Sequence, residues 1–155
     1  MIYRVINKAI RLVYQAFHPS LWNKHIGVYG IPDIRGYHRI SFGKYVTINP
    51  RVYIQGSGGV KIGNYVTLSR EVKILTVGID TKDYARKCMS PTRLHIPRPV
   101  EIGDGVWLAA NVMIMPGVTI SPKIIVAAGS VVTHNLDKEG WLYAGVPARA
   151  IKPLE

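Results

Sequence analysis

From Val100 to Val132 an aliphatic or small residue returns at every sixth position: Val100, Val106, Val112, Val118, Ile124 and Ser130. A second apolar residue stands two places after each, at Ile102, Leu108, Ile114, Ile120, Val126 and Val132, and Gly, Asn, Asp or Pro fill the positions between. A period of six fits neither an amphipathic helix nor a half-buried strand. It fits a solenoid in which short β segments alternate with tight turns and each aliphatic side chain stacks on its counterpart one coil away. The same rule runs through Ile40, Val46, Val52, Val60, Val66 and Val72. Its third unit carries two additional residues around Gly58 and Gly59, which a corner bulge can absorb. With three hexads to a triangular turn, two coils precede the interruption and two follow it, about four in all.

Between them, residues 78–99 break the rule completely. A long excursion from a tight solenoid is uncommon unless it is functional or disordered. The expected organisation is a helix and cap over 1–39, a solenoid over 40–135, and a C-terminal turn with a basic tail over 136–155. In the first segment Ile2, Val5, Ile6, Ala9, Ile10, Val13, Tyr14 and Phe17 recur at helical spacing, with Arg4, Lys8 and Arg11 mainly on the other side. His18-Pro19-Ser20 ends this helix. Its apolar face suits packing on the protein's own body or lying on an anionic membrane surface, and the pattern is the same for both.

The chain has 155 residues, enough for one domain with a sizeable core, and 48% of them are hydrophobic, which excludes a largely disordered protein. No apolar run reaches the roughly 18 residues of a membrane span. A single cysteine, Cys88, cannot form an internal disulfide, so a reducing, cytoplasmic setting is expected. The net charge of +11 favours anionic partners. Nucleic acid is not expected among them, because no zinc-finger spacing, RNP-like motif or block of Lys and Arg is present. No metal site is expected either, since His18, His25, His38, His95 and His134 show no ligand spacing with Cys or carboxylates.

The run RPVEIGDGVWLAANVMIMPGVTI, then AAGSVVT, then AGVPARAIK, resembles the bacterial hexapeptide-repeat acyltransferases, in the branch of the galactoside, maltose and surface-polysaccharide O-acetyltransferases. The resemblance covers roughly residues 40–153. It implies a left-handed parallel β-helix, a homotrimer with sites between neighbouring subunits, acetyl-CoA as donor and a carbohydrate acceptor. It assigns Trp107 to the side of the pantetheine arm, and Ala109, Ala127 and Ala128 to the small residues along the donor groove. Arg149 and Lys152 match basic positions near the 3′-phosphate end of CoA, where charge-assisted bonds are expected. Asn49 matches an Asn that helps hold the acceptor or the developing oxyanion. Alternatively, Trp107 is a packing residue, Arg149 and Lys152 belong to a solvated tail, and Asn49 is a corner residue of the kind Asn often supplies.

Acetyl transfer to a hydroxyl needs a base that takes the proton as the oxygen attacks. The family carries that His in a context like T-x-G-H-D, whereas here the stretch reads Thr76-Val77-Gly78-Ile79-Asp80. Isoleucine accepts no proton. Three outcomes are open: His95, at the far end of the same excursion, serves as the base; Asp80, Asp83 or a neighbouring subunit supplies it; or the protein binds its ligands without efficient catalysis. The expectation is a CoA-dependent O-acetyltransferase acting on a sugar hydroxyl, in surface-polysaccharide synthesis, with contact to the inner membrane face. The alternative is a non-catalytic trimer that keeps the solenoid and CoA binding.

Overall fold

The computed structural model describes residues 25–82 and 94–155 continuously, together with positions 6, 9, 12, 13, 16, 84, 88 and 89. The expected helix positions Ile2, Val5, Ile10, Tyr14 and Phe17, the basic Arg4, Lys8 and Arg11, the helix-ending His18-Pro19-Ser20, and Asp83 lie outside the described residues. The five described positions of the N-terminal stretch are helical, as its spacing predicts.

The architecture is a parallel β-solenoid of about five turns, consistent with the left-handed β-helix that the resemblance implies. Three faces carry it. Face A stacks β1 (Gly27–Val28), β4 (Thr47–Ile48), β7 (Thr67–Leu68), β12 (Trp107–Leu108) and β15 (Ile125–Val126). Face B stacks β2 (Asp33–Arg35), β5 (Tyr53–Gln55), β8 (Lys73–Ile74), β13 (Met113–Ile114) and β16 (Val131–Val132). Face C stacks β3 (Ile40–Phe42), β6 (Val60–Ile62), β11 (Val100–Ile102) and β14 (Thr119–Ile120).

The solenoid therefore starts two strands earlier than the repeat legible from Ile40, which completes the first coil. Ile26, Pro32 and Ile40 occupy the same places as Val46, Val52 and Val60, but a proline and irregular turns disguise the rhythm. Partners on neighbouring coils lie 20 residues apart at Thr47↔Thr67, 40 apart at Thr67↔Trp107 and 18 apart at Trp107↔Ile125. The difference between the last two, 22 residues, is the length of the excursion 78–99. The register on either side of it is unbroken, with Val60 opposite Val100. The two additional residues near Gly58 are taken up by a 3-10 turn over Gly56–Gly58.

Each face contributes one inward column. On face A it runs Val28, Ile48, Leu68, Leu108 and Val126; on face B, Ile54, Ile74, Ile114 and Val132, every one of them buried. Burying such a side chain stabilises by about 1.5–3 kcal/mol, so the columns together form the core. Ser130, where the rhythm breaks, is also buried, and its Oγ accepts the Gly145 N–H at 3.1 Å.

The corners obey a second rule that spacing alone does not reveal. The residue just before an inward aliphatic repeatedly has positive φ: His25, Tyr45, Arg51, Tyr65, Glu71, Asn111 and Lys123, with φ of 52° to 62°. For a residue with a Cβ this conformation costs roughly 1–2 kcal/mol. Stacking offsets part of that cost, since His25, Tyr45 and Tyr65 form an aromatic ladder with ring centroids 5.1 and 4.9 Å apart.

Coils approach most closely where face C turns into face A. A Cβ on Gly63 would run into the Asp104 carboxylate and come within 2.8 Å of the Gly103 carbonyl carbon. The Asp104 carboxylate holds this corner by accepting the Asn64 N–H at 2.7 Å, and that bond lowers its pKa below the ordinary value. Gly63→Ala is expected to destabilise by about 1–3 kcal/mol, as overpacking does. Its urea midpoint against that of Thr119→Ala, an outward-facing change, is the check.

The chain ends in structure rather than in a solvated tail. β17 (Trp141–Gly145) continues face A beside β15, and β18 (Ala148–Pro153) folds back on β17 antiparallel. Among the described residues no helix is long and apolar enough to cross a membrane.

Candidate active site

The corner between faces A and B gathers most of the residues that the sequence singles out. Ile48, Leu68, Leu108 and Val126 are in register, so the residues after them, Asn49, Ser69, Ala109 and Ala127, form one column. Their backbone N–H groups donate to carbonyls of the next coil at 2.8–3.0 Å, at Leu68, Leu108, Val126 and Tyr143. Ala128 belongs to the adjacent column. The side chains of this column are short and only partly buried, and this strip of small residues is the candidate channel for a thin ligand.

Trp107 borders the channel from face A. Its ring is half exposed and its Nε1–H donates to Ser69 Oγ at 3.0 Å, so the indole is held in place while its face stays open. Ser69 was not evident as a site residue, although it is the counterpart of Asn49 one coil on. Asn49 gives one Nδ2–H to the Leu68 carbonyl at 3.0 Å. That bond serves the corner, and the amide keeps its second N–H for another partner.

The excursion leaves from the other end of face B. Its two limbs are strands, β9 (Val77–Ile79) and β10 (His95–Pro97), paired antiparallel. The root is fixed by Thr76, which is fully buried. Its hydroxyl donates to the Gln55 carbonyl and accepts the Gly58 N–H at 2.9 Å, while Gln55 Oε1 accepts the N–H groups of Thr76 and Val77.

The register of this hairpin places His95 directly opposite Ile79. Asp80 N–H donates to the Leu94 carbonyl and Arg98 N–H to the Thr76 carbonyl, at 2.9 and 2.8 Å. Those residues form the hydrogen-bonded pairs of the ladder, so Ile79 and His95 form a non-hydrogen-bonded pair, in which side chains on one face come closest. Both side chains are exposed. The imidazole thus stands beside the position where the expected histidine is replaced by isoleucine. Asp80, by alternation, points to the opposite face of the hairpin.

Arg149 and Lys152 lie on β18. Arg149 Nη1 sits 3.0 Å from Nε2 and 3.2 Å from Nδ1 of His134 and donates to the Ala148 carbonyl, and both Arg149 and Lys152 are exposed. Within one chain the corner channel and the hairpin remain a whole face apart. The structure brings Asn49, Trp107, Ala109, Ala127 and Ala128 together, and His95 stands at the next corner.

Residues 99–134 match the family described as Bacterial transferase hexapeptide (six repeats). A stretch of 56 residues is 41% identical to the galactoside O-acetyltransferase of Escherichia coli (strain K12), covering 36% of this chain and 27% of that protein. The chain thus spans about a quarter of the length of this curated relative. Among solved structures, a maltose O-acetyltransferase from Clostridium difficile 630 is 29% identical with a TM-score of 0.76, over 85% of this chain and 68% of that one. A hexapeptide-repeat containing acetyltransferase of Vibrio cholerae O1 biovar eltor, solved with acetyl coenzyme A, is 28% identical with a TM-score of 0.74, over 91% of this chain and 78% of that one. Over residues 99–134 the chain matches the hexapeptide-repeat transferase family, and its solenoid is similar to those of the acetyltransferases.

Proposed function

We propose that the protein moves an acetyl group from acetyl-CoA to a carbohydrate hydroxyl, with His95 as the base. The observation that carries this reading is the pairing of His95 with Ile79 across the hairpin. A base lost from one strand is regained on the strand beside it, on the same face. In the reaction, His95 takes the hydroxyl proton as the oxygen attacks the thioester carbonyl, the oxyanion collapses, the C–S bond breaks, and the imidazolium returns its proton to the departing thiolate. The second N–H of Asn49 is suited to the acceptor or the oxyanion.

The small-residue column beside Trp107 fits the thin pantetheine arm, and Arg149 and Lys152 supply positive charge for the nucleotide end. The separation of channel and hairpin on one chain supports a homotrimer in which one copy's corner meets another's hairpin. The relatives named for galactoside and maltose favour a sugar acceptor. A cytoplasmic enzyme acting on a surface-polysaccharide precursor at the inner membrane fits the helical positions Ile6, Leu12 and Val13, which are at least half exposed. Co-flotation with anionic liposomes is expected on that reading, and indifference to them removes the membrane part.

The experiment is thiol release from acetyl-CoA with a panel of sugar acceptors, alongside calorimetric CoA binding. Turnover supports the transferase. CoA binding without turnover on any acceptor favours the second reading, a non-catalytic trimer, for which the exposed carbon side chain of Ile79 is the specific observation. Absence of CoA binding overturns the donor channel.

A further inference from the structure

The hairpin that carries His95 borders a cavity of about 450 Å³, which Ile79 also lines. Gly78, Asp80 and Arg98 look down from the hairpin, and Met115, Pro116 and Thr133 form the floor where face B turns into face C. The volume falls within the roughly 300–1,000 Å³ of small-molecule sites. Its floor is mainly apolar, Asp80, Lys82 and Thr133 also line it, and the Thr133 hydroxyl lies 3.3 Å from His134 Nδ1.

Arg98 distinguishes this cavity from an incidental gap. Its backbone is fixed to the Thr76 carbonyl at 2.8 Å. Its stem lies over Gly117, where an added Cβ would come within 3.3 Å of Arg98 Cδ and 3.4 Å of its Cβ. Gly117 itself has φ of +87°, so a side chain there is disfavoured on two counts. The backbone and stem are thus positioned, yet among the described residues the guanidinium has no hydrogen bond or ion pair. Arg35 and Arg51 by contrast each pair with a carboxylate, at 3.1 and 3.0 Å. Among the described residues Asp80 forms no ion pair with Arg98; its Oδ1 accepts the Lys82 N–H at 2.9 Å. A guanidinium presents a planar set of donors matched to a carboxylate or phosphate, and a ring with hydroxyls suits Asp80, Thr133 and the apolar floor.

We propose that this cavity binds a monosaccharide-sized ligand carrying a carboxylate or phosphate, with Arg98 reading the charge. This deepens the carbohydrate reading above and rests on it for the sugar ring. The anion is either the acceptor's own substituent or a separate small molecule held behind the hairpin that bears His95.

Calorimetry on the full chain with methyl β-glucuronide, glucose 1-phosphate and methyl β-glucoside tests the proposal. The expected result is that both anionic sugars bind at least tenfold more tightly than the neutral one. Arg98→Gln abolishes that preference, while Lys61→Gln, which removes an equal charge from the outer side of face C, leaves it within twofold. Equal binding of neutral and anionic sugars overturns the proposal, as does equal loss in both variants, which would trace the preference to net charge alone. Acetyl-CoA binding and thiol release are read on the same samples. Lost preference with intact turnover removes the cavity and keeps the transferase; intact preference without turnover does the reverse. Acetylation of the anionic sugar identifies it as the acceptor. A changed rate on the neutral sugar, with the anion itself unmodified, identifies a separate ligand.

Discussion

His95→Ala is expected to lower acetyl transfer by about 10²–10⁴-fold, the contribution of a positioned general base. Calorimetric affinity for acetyl-CoA should stay within about twofold, because a general base acts on the acceptor hydroxyl in the transition state rather than on the donor in the ground state. The hairpin supplies a sharper check than the single loss. Ile79 and His95 are cross-strand neighbours on one face. Placing the imidazole at the other member of the pair, in Ile79→His with His95→Ala, should therefore restore activity at least tenfold over His95→Ala. If His95→Ala keeps full activity, the base lies elsewhere and the proposed mechanism fails. If the single variant is dead and the double variant is not rescued, His95 acts by a route that its pairing with Ile79 does not explain.

Leu108→Ala is expected to cost about 2–5 kcal/mol, the range for emptying a buried leucine site. Leu108 is fully buried, in register with Leu68 and Val126, and lies next to Trp107 in the chain. A column of aliphatics two residues wide has little capacity to collapse into the gap, so the upper half of that range is favoured. Unfolding in urea at fixed protein concentration measures it, since assembly would make the midpoint concentration-dependent. A loss below about 1 kcal/mol would mean that the column repacks and is not the source of stability argued above. Thr119→Ala, exposed on face C, should remain within about 0.5 kcal/mol of the parent.

The aliphatic period was enough to identify the solenoid, its interruption and the length of that interruption, because stacking coils demand the same side chain at the same place. It was not enough to find the start of the first coil, where Pro32 replaces an aliphatic and only the strand register restores the count. The corner conformations were also hidden: Tyr65, Glu71 and Lys123 are not residues that advertise positive φ, and stacking or charge rather than backbone preference goes with several of them. Among the site residues, Asn49, Trp107 and the alanines stand at positions locked to the repeat, so their shared corner follows from spacing. His95 and Arg98 lie where the repeat has lapsed. Their placement depends on how two distant limbs pair, and no local pattern in the excursion fixes that pairing. The strands that carry Arg149 and Lys152 were not legible, because the β17–β18 hairpin follows a different rhythm from the hexads.

The unbroken register across the excursion also bears on how the chain assembles. Most coils find their neighbour 18 to 20 residues away, but β11 must find β6 across 40. Closing a loop of twice the length costs only about 0.6 kcal/mol more in chain entropy. Coil-by-coil growth nevertheless meets its longest closure at one junction, the root of the hairpin that carries His95. The solenoid is thus two blocks of short-range contacts joined at a seam, and the proposed base His95 is mounted on the joint between them.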